Sequence, residues 1–392
     1  MGEHPAALGI TVTHEPTGAL RIAVVHSFYS SRQPSGENVV VELQVEALRR
    51  AGHEVLLVDR STDELEQAAT YPLRAGLRAA TGRGDSPLAE IEAHRPDVVH
   101  IHNLFPNLGR RWVERLKAPL VTTLHNYRPI CPAGTLFRDG ASCTLCPDSK
   151  SARPAVTHSC FKGSRAQTLP VAIGTRFAED PLLRRADRIV TLHDNMLATY
   201  AHYGVPEDRL VTVPNFVPPR SERAGDRTDT WLFVGRLTYD KGIIELLTHW
   251  PADRELVVVG AGPQEDEARA LAGDNVTFLG QLPGTEVSHL MASVRGLAFP
   301  SLWPEGLPTV YLEALAAGLP VIAWPQSIVG TLVARDRTGI VTAGDLPAEL
   351  ERADREFPSL GEHCREVYDR LYSEQAWVSA ITDVYRSVVT SR

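Results

Sequence analysis

"TWLFVGRLTYDKGIIELLTHW", residues 230–250, reads as a strand that closes on Gly235, a polar loop, and an amphipathic helix. The same alternation has already run along the preceding half of the chain. Its restart here decides the fold: two sheets rather than one long one. Upstream, the apolar runs are "RIAVVHSF" (21–28), "HEVLLVD" (53–59), "DVVHIH" (97–102), "PLVTTLH" (119–125) and "RIVTLH" (188–193). Downstream of Thr230 they are "TWLFVG", "RELVVVG", "NVTFLG", "GLAFPS", "LPVIAW" and "TGIVTA". Nearly continuous Val- and Ile-rich runs suit strands buried on both faces, and intervening helical stretches make the sheets parallel. The expected fold is α/β, with two Rossmann-like doubly wound lobes facing across a cleft.

The boundaries follow from composition. Residues 1–20 read as a loose leader and 21–216 as the first lobe, with a cysteine-rich excursion at 128–164. The Pro- and charge-rich segment 217–229 is a linker, 230–373 the second lobe, and 374–392 a closing amphipathic helix that crosses back to the first. A length of 392 residues agrees with two cores. At 43% hydrophobic and 22% charged the chain is ordinary for a soluble protein, and a net charge of −8 argues against general nucleic-acid binding. No apolar run is long enough to span a bilayer, and the leader lacks a secretory pattern. A cytoplasmic protein with reduced thiols is expected, with peripheral contact to the inner membrane face kept open.

Open α/β sheets bind ligands at the carboxyl ends of their strands. There, "GRLTYDKG" places Arg236 and Lys241 at a helix entrance, where the macrodipole disfavours cations. A bound diphosphate resolves that conflict; a solvated loop, with Asp240 offsetting Lys241, is the plainer alternative. "SLWPEGLPTVYLEALAAG" (301–318) sets Glu305 ahead of a helix start and Glu313 about two turns inside it. Exposed amides near Gly306, Leu307, Pro308 and Thr309 suit an anion. Gly36 permits close approach of a ligand, and Glu37–Asn38 read as the cap of the next helix. Gly262 lies in a weak glycine turn, "VVGAGP". His125, beyond a strand end, suits a sugar hydroxyl or a proton. Cys131, Cys143, Cys146 and Cys160 suit structural zinc, an iron–sulfur cluster, or plain thiols, and His158 is a substitute ligand.

Together these motifs resemble the retaining glycosyltransferases of family 4, which have the GT-B fold. "PEGLPTVYLEALAAGLPVIA" is similar to the family's E-x7-E signature and "GRLTYDKG" to its diphosphate loop. "SGENVVVELQVEALRRAGHEV", "TLHNYRPICP" and "THSCFKGS" resemble a bacterial subgroup, active in polysaccharide and related assembly, with a cysteine-containing insertion. The resemblance implies that Arg236, Lys241 and Gly235 hold the diphosphate of a nucleotide sugar with the amides after Glu305. Glu313 would then take the ribose, Glu305 the sugar hydroxyls, and Leu282 would flank the base. His125 would sit by the transferred sugar. No catalytic cofactor is implied. The acceptor is a hydroxyl on a saccharide, a lipid-linked saccharide or a small natural product. A non-catalytic nucleotide-sugar-binding protein and a sugar-nucleotide epimerase on the same fold are the alternatives. A dinucleotide oxidoreductase lacks its G-x-G-x-x-G after the first strand.

Overall fold

The computed structural model describes residues 18–32, 35–219 and 227–390. The first sheet begins with β1 (Arg21–Phe28), β2 (Glu54–Ser61), β3 (Val98–Asn103) and β4 (Leu120–Leu124). A two-stranded hairpin follows, β5 (Phe137–Arg138) and β6 (Ala141–Ser142), before β7 (Arg188–Thr191) and β8 (Leu210–Thr212) complete the sheet. The second lobe holds β9 (Trp231–Val234), β10 (Leu256–Val259), β11 (Val276–Gly280), β12 (Gly296–Phe299), β13 (Val321–Ala323) and β14 (Gly339–Val341). The expected runs all form strands. β8 and the hairpin are additions, too short to show a period.

Both large sheets have six strands, ordered β2-β1-β3-β4-β7-β8 and β11-β10-β9-β12-β13-β14. Their ladders are parallel. Burial explains the sequence pattern: β1 is buried over its six inner residues, and β4 throughout. Strand order reverses beside β1 in one lobe and beside β9 in the other, so a crevice opens at the carboxyl ends there. The loops after β1, β4, β9 and β12 all feed that crevice. This is the GT-B arrangement.

Two helices close the molecule. Leu346–Leu371 lies on the second sheet, with Phe357 and Leu350 in its core. Glu374–Val389 lies instead against the first sheet, where Trp377, Ile381 and Tyr385 join Ile22, Val24, Val121 and Phe216.

Candidate active site

The loop after β9 turns through Tyr239–Lys241 and enters the helix Ile243–His249 at Gly242. Gly242 has φ +73°, and a Cβ there would lie 2.1 Å from the Pro300 carbonyl oxygen. Only glycine lets this loop pack onto the loop after β12. The packing brings the cation of one loop to the acid of the other: Lys241 Nζ donates to Glu305 Oε2 at 2.6 Å. Ser301 Oγ donates to Glu305 Oε1, also at 2.6 Å, and Glu305 is only 6% exposed. Lys241 thus finds its counter-charge in Glu305 rather than in Asp240. Asp240 instead faces Arg236, at 3.9 Å. A charge pair distant in sequence won over the neighbour because the two loops pack together.

The helix after Glu305 spans Thr309–Ala316 with Pro308 as its N-cap residue. Glu313 is therefore its fifth residue, little more than one turn in, not two. The chain stays extended through Pro308, which delays the helix start. Pro308 itself has no N–H to offer an anion. Arg236, Lys241, Glu305 and Glu313 line one cleft of about 740 Å³, with Gly235, Gly306, Leu307, Pro308 and Thr309. Gly36 and His125 line it from the first lobe. Gly262 and Leu282 do not stand in this lining. Gly262 abuts the Leu237 backbone, and Leu282 packs onto the core of its own lobe.

Opposite the cations, the first lobe presents a polar floor. Ser35 is the N-cap residue of the helix Gly36–Arg50, without a side-chain bond. Glu37 and Asn38 fall inside its first turn, not at its cap. Asn38 Oδ1 instead accepts from the Tyr29 amide and pairs with His26 Nε2, both at 3.2 Å, because the loop after β1 folds back on the helix. Glu37 lies near Asn126 and Arg128, and its Oε1 is buried with no hydrogen-bond partner. Burial is the main reason its carboxyl is pushed up to about 7, against the opposing pull of Arg128. Nothing in the local sequence marked Glu37, Arg128 or Ser301 as cleft residues. Their position at strand ends was the available signal.

His125 belongs to a histidine ladder. Its Nε2 pairs with His102 Nδ1 at 2.9 Å, and the rings stack 5.2 Å apart. The His102 ring lies 4.1 Å from that of His100, whose Nδ1 meets the Tyr385 hydroxyl at 2.7 Å. Burial, then the neighbouring imidazoles His26 and His100, lowers His125 to about 3. At neutral pH it is an uncharged hydrogen-bonding ring rather than a proton store.

The lobes touch at the same place. His193 Nε2 lies 3.3 Å from the Glu305 carbonyl oxygen, and Gly306 sits against the His125 carbonyl. The cysteine excursion also crosses: Ala133, Gly134 and Thr135 line the cleft, and Gly140 at the hairpin tip meets Tyr239. Its thiols are mutual electrostatic neighbours, and burial followed by those neighbours pushes Cys146 up to about 11. Yet among the described residues no group of three or more His, Cys, Asp or Glu stands at separations that hold a metal ion.

Residues 34–221 match the family profile described as Glycosyltransferase Family 4, and residues 228–356 match Glycosyl transferases group 1. An uncharacterized glycosyltransferase from Methanocaldococcus jannaschii is 32% identical, over 80% of this chain and 82% of its own. The chain belongs to glycosyltransferase family 4. A phosphatidyl-myo-inositol mannosyltransferase from Mycolicibacterium smegmatis is 28% identical over 75% of this glycosyltransferase and 74% of its own length. Among solved structures, sucrose-phosphate synthase from Thermosynechococcus elongatus superposes with a TM-score of 0.65 at 18% identity, covering 95% of this chain and 100% of that one. Anabaena HepE, solved with UDP and glucose, gives 0.61 at 15% identity, covering 94% and 100%. These two likenesses carry the fold alone.

Proposed function

We propose that this glycosyltransferase moves a sugar, with retention of anomeric configuration, from a nucleoside-diphosphate sugar to a hydroxyl acceptor. The observation that carries the reading is the convergence of Arg236, Lys241, Glu305, Glu313 and the start of the helix Thr309–Ala316 on one cleft. The cations and the helix N-terminus take the diphosphate and stabilise the charge that develops as it departs. Glu305, held by Lys241 and Ser301, orients sugar hydroxyls, and Glu313 takes the ribose. HepE, a neighbour in fold, was solved with UDP and glucose, which fits a donor of this class.

The acceptor enters from the first lobe, past Gly36 and His125. A neutral His125 accepts or donates a hydrogen bond, but burial, which lowers it to about 3, makes it a weak base, so the leaving diphosphate oxygen takes the acceptor's proton. No step of this reading uses a metal. Structural zinc on Cys131, Cys143, Cys146 and Cys160 is a separate proposal, and it requires the thiols to draw together; elemental analysis finding about one zinc per chain supports it and finding none removes it.

Incubation with nucleotide sugars and an acceptor panel, with the product's anomeric configuration read by NMR, tests the reaction. Retained configuration is expected; inversion, or sugar epimerised without an acceptor, overturns it. Arg236 is well exposed, so Arg236→Ala should leave thermal unfolding unchanged. Its kcat/KM should fall about 100- to 1,000-fold, the scale of one lost oxyanion donor. Lys241→Ala should lose at least as much, with some stability lost too because Glu305 is left buried and unpaired.

A further inference from the structure

Nine large apolar side chains are exposed among the described residues, and four of them lie on two helices of the first lobe that touch one another. The helices are Tyr71–Thr81 and Arg165–Gly174. Leu73 is 68% exposed, Leu77 55%, Leu169 49% and Ile173 50%. Each pair is spaced i, i+4, so each forms a stripe along its helix. The contacts between the helices show how the stripes are arranged. Gly76 meets Pro170, and Gly174 meets the Ala79 carbonyl. Both contacts advance in the same chain direction, so the helices lie side by side and parallel. Leu77 follows the contact position Gly76 by one residue and Leu73 lies one turn before Leu77, whereas Leu169 and Ile173 precede Pro170 and Gly174 by one. In parallel right-handed helices, a turn of about 100° forward on one and backward on the other points the same way. The four side chains therefore share one outward face.

The charged residues of the two segments that carry this face are of one sign. Residues 71–84 and 161–176 contain Arg74, Arg78, Arg83, Lys162, Arg165 and Arg176 and not one Asp or Glu, in a chain of net charge −8. All but the half-buried Arg78 are exposed. The acids that flank these segments are largely engaged: Asp180 with Arg110, Asp85 with Arg60, and Glu66 with Arg32. Glu179 is exposed beside Arg176, and Glu64 lies before the first helix.

We propose that this two-helix face is a docking surface for an anionic lipid bilayer, with the four aliphatic side chains entering the headgroup boundary and the cations meeting lipid phosphates. An apolar stripe bordered by cations is the composition that binds such an interface, and neither component suffices alone. A second copy fits poorly, because pairing the face with itself would oppose the five exposed cations with five of the same sign. The placement is also purposeful. Arg78, Ala79 and Val171 of the helix pair wall a cavity of about 100 Å³ whose other wall includes His125 and Arg128 of the cleft. A bilayer on this face would lie one cavity away from the acceptor side of the site.

The test is flotation of the full chain with vesicles of phosphatidylcholine alone or with 30 mol% phosphatidylglycerol (a composition of roughly physiological charge). Flotation with the anionic vesicles only, weakening with added salt, is expected. Leu73→Ser with Ile173→Ser, and separately Arg74→Glu with Arg165→Glu, should each weaken vesicle partitioning about tenfold or more. These side chains are exposed, so circular dichroism should match wild type. Lys241→Ala should float normally, which separates docking from sugar transfer. Equal flotation of the face variants, or no flotation of wild type, overturns the proposal. So does a dimer in sedimentation that the Leu73→Ser and Ile173→Ser changes disperse.

Discussion

Glu37 is a cleft carboxylate whose ionisation is coupled to folding. Its folded carboxyl is raised from 4.5 to about 7, so folding favours the protonated form. Such a group contributes its stability fully below about pH 4.5 and loses it as pH climbs through 7. The groups facing it are Arg128, Asn103, Asn126 and Tyr29, the last itself raised to about 12 chiefly by burial. A Glu37→Gln protein keeps the shape without the titration. Its stability relative to wild type should rise between pH 5 and pH 8 by roughly 1–3 kcal/mol, the upper value being the full shift and the lower allowing for a half-buried side chain. Urea unfolding across that range measures it, and a constant gap would show that the carboxyl is solvated. At this scale the sequence was legible where a residue is unusual for its setting. Arg236 and Lys241 stand at a helix entrance that disfavours cations. Ser301 and Arg128 are ordinary in their context, and only the packing of separate loops gives them a place in the cleft.

Elements were legible in proportion to their burial. β1 and β4 announce themselves because both faces are covered, whereas Tyr71–Thr81 and Arg165–Gly174 turn aliphatic side chains to the outside and blur the pattern that marks a core. The start of Thr309–Ala316 was misplaced because Pro308 is still extended and serves as the N-cap residue, so the helix begins only at Thr309. The closing helix Glu374–Val389 was plain in its periodicity. Trp377 is 3% exposed and packs 5.3 Å from the Phe216 ring, so this last helix serves the core of the first lobe. Trp377→Ala should destabilise that lobe by about 3–5 kcal/mol, the range for a lost core aromatic. Hydrogen exchange can tell the lobes apart: amides of β1 and β4 should exchange faster while those of β9 and β12 hold. Equal loss in both sheets would mean that the helix supports the second lobe as well.

At the scale of the whole molecule, the two lobes work only if their strand ends approach closely, and one glycine sets how closely. Gly306 follows the acid that pairs with Lys241, and a Cβ there would lie 2.4 Å from the His125 carbonyl oxygen of the opposite lobe. That oxygen belongs to backbone at the end of β4, so it has little freedom to withdraw. A methyl side chain at this position must therefore be accommodated by parting the lobes. Parting them draws the Glu305 carbonyl away from His193 and the donor loops away from the floor formed by Glu37 and Arg128, while each sheet keeps its own core. Gly306→Ala should consequently retain wild-type secondary structure and a nearly unchanged melting temperature, yet lose about tenfold or more in kcat/KM, because displacement by a fraction of an ångström to one ångström is enough to misplace reacting groups. Nucleotide binding, which draws mainly on the second lobe, should weaken much less than turnover. Titration calorimetry with the nucleotide beside steady-state kinetics separates the two effects, and a Gly306→Ala protein as active as wild type would show that the observed lobe spacing is not the one in which sugar is transferred.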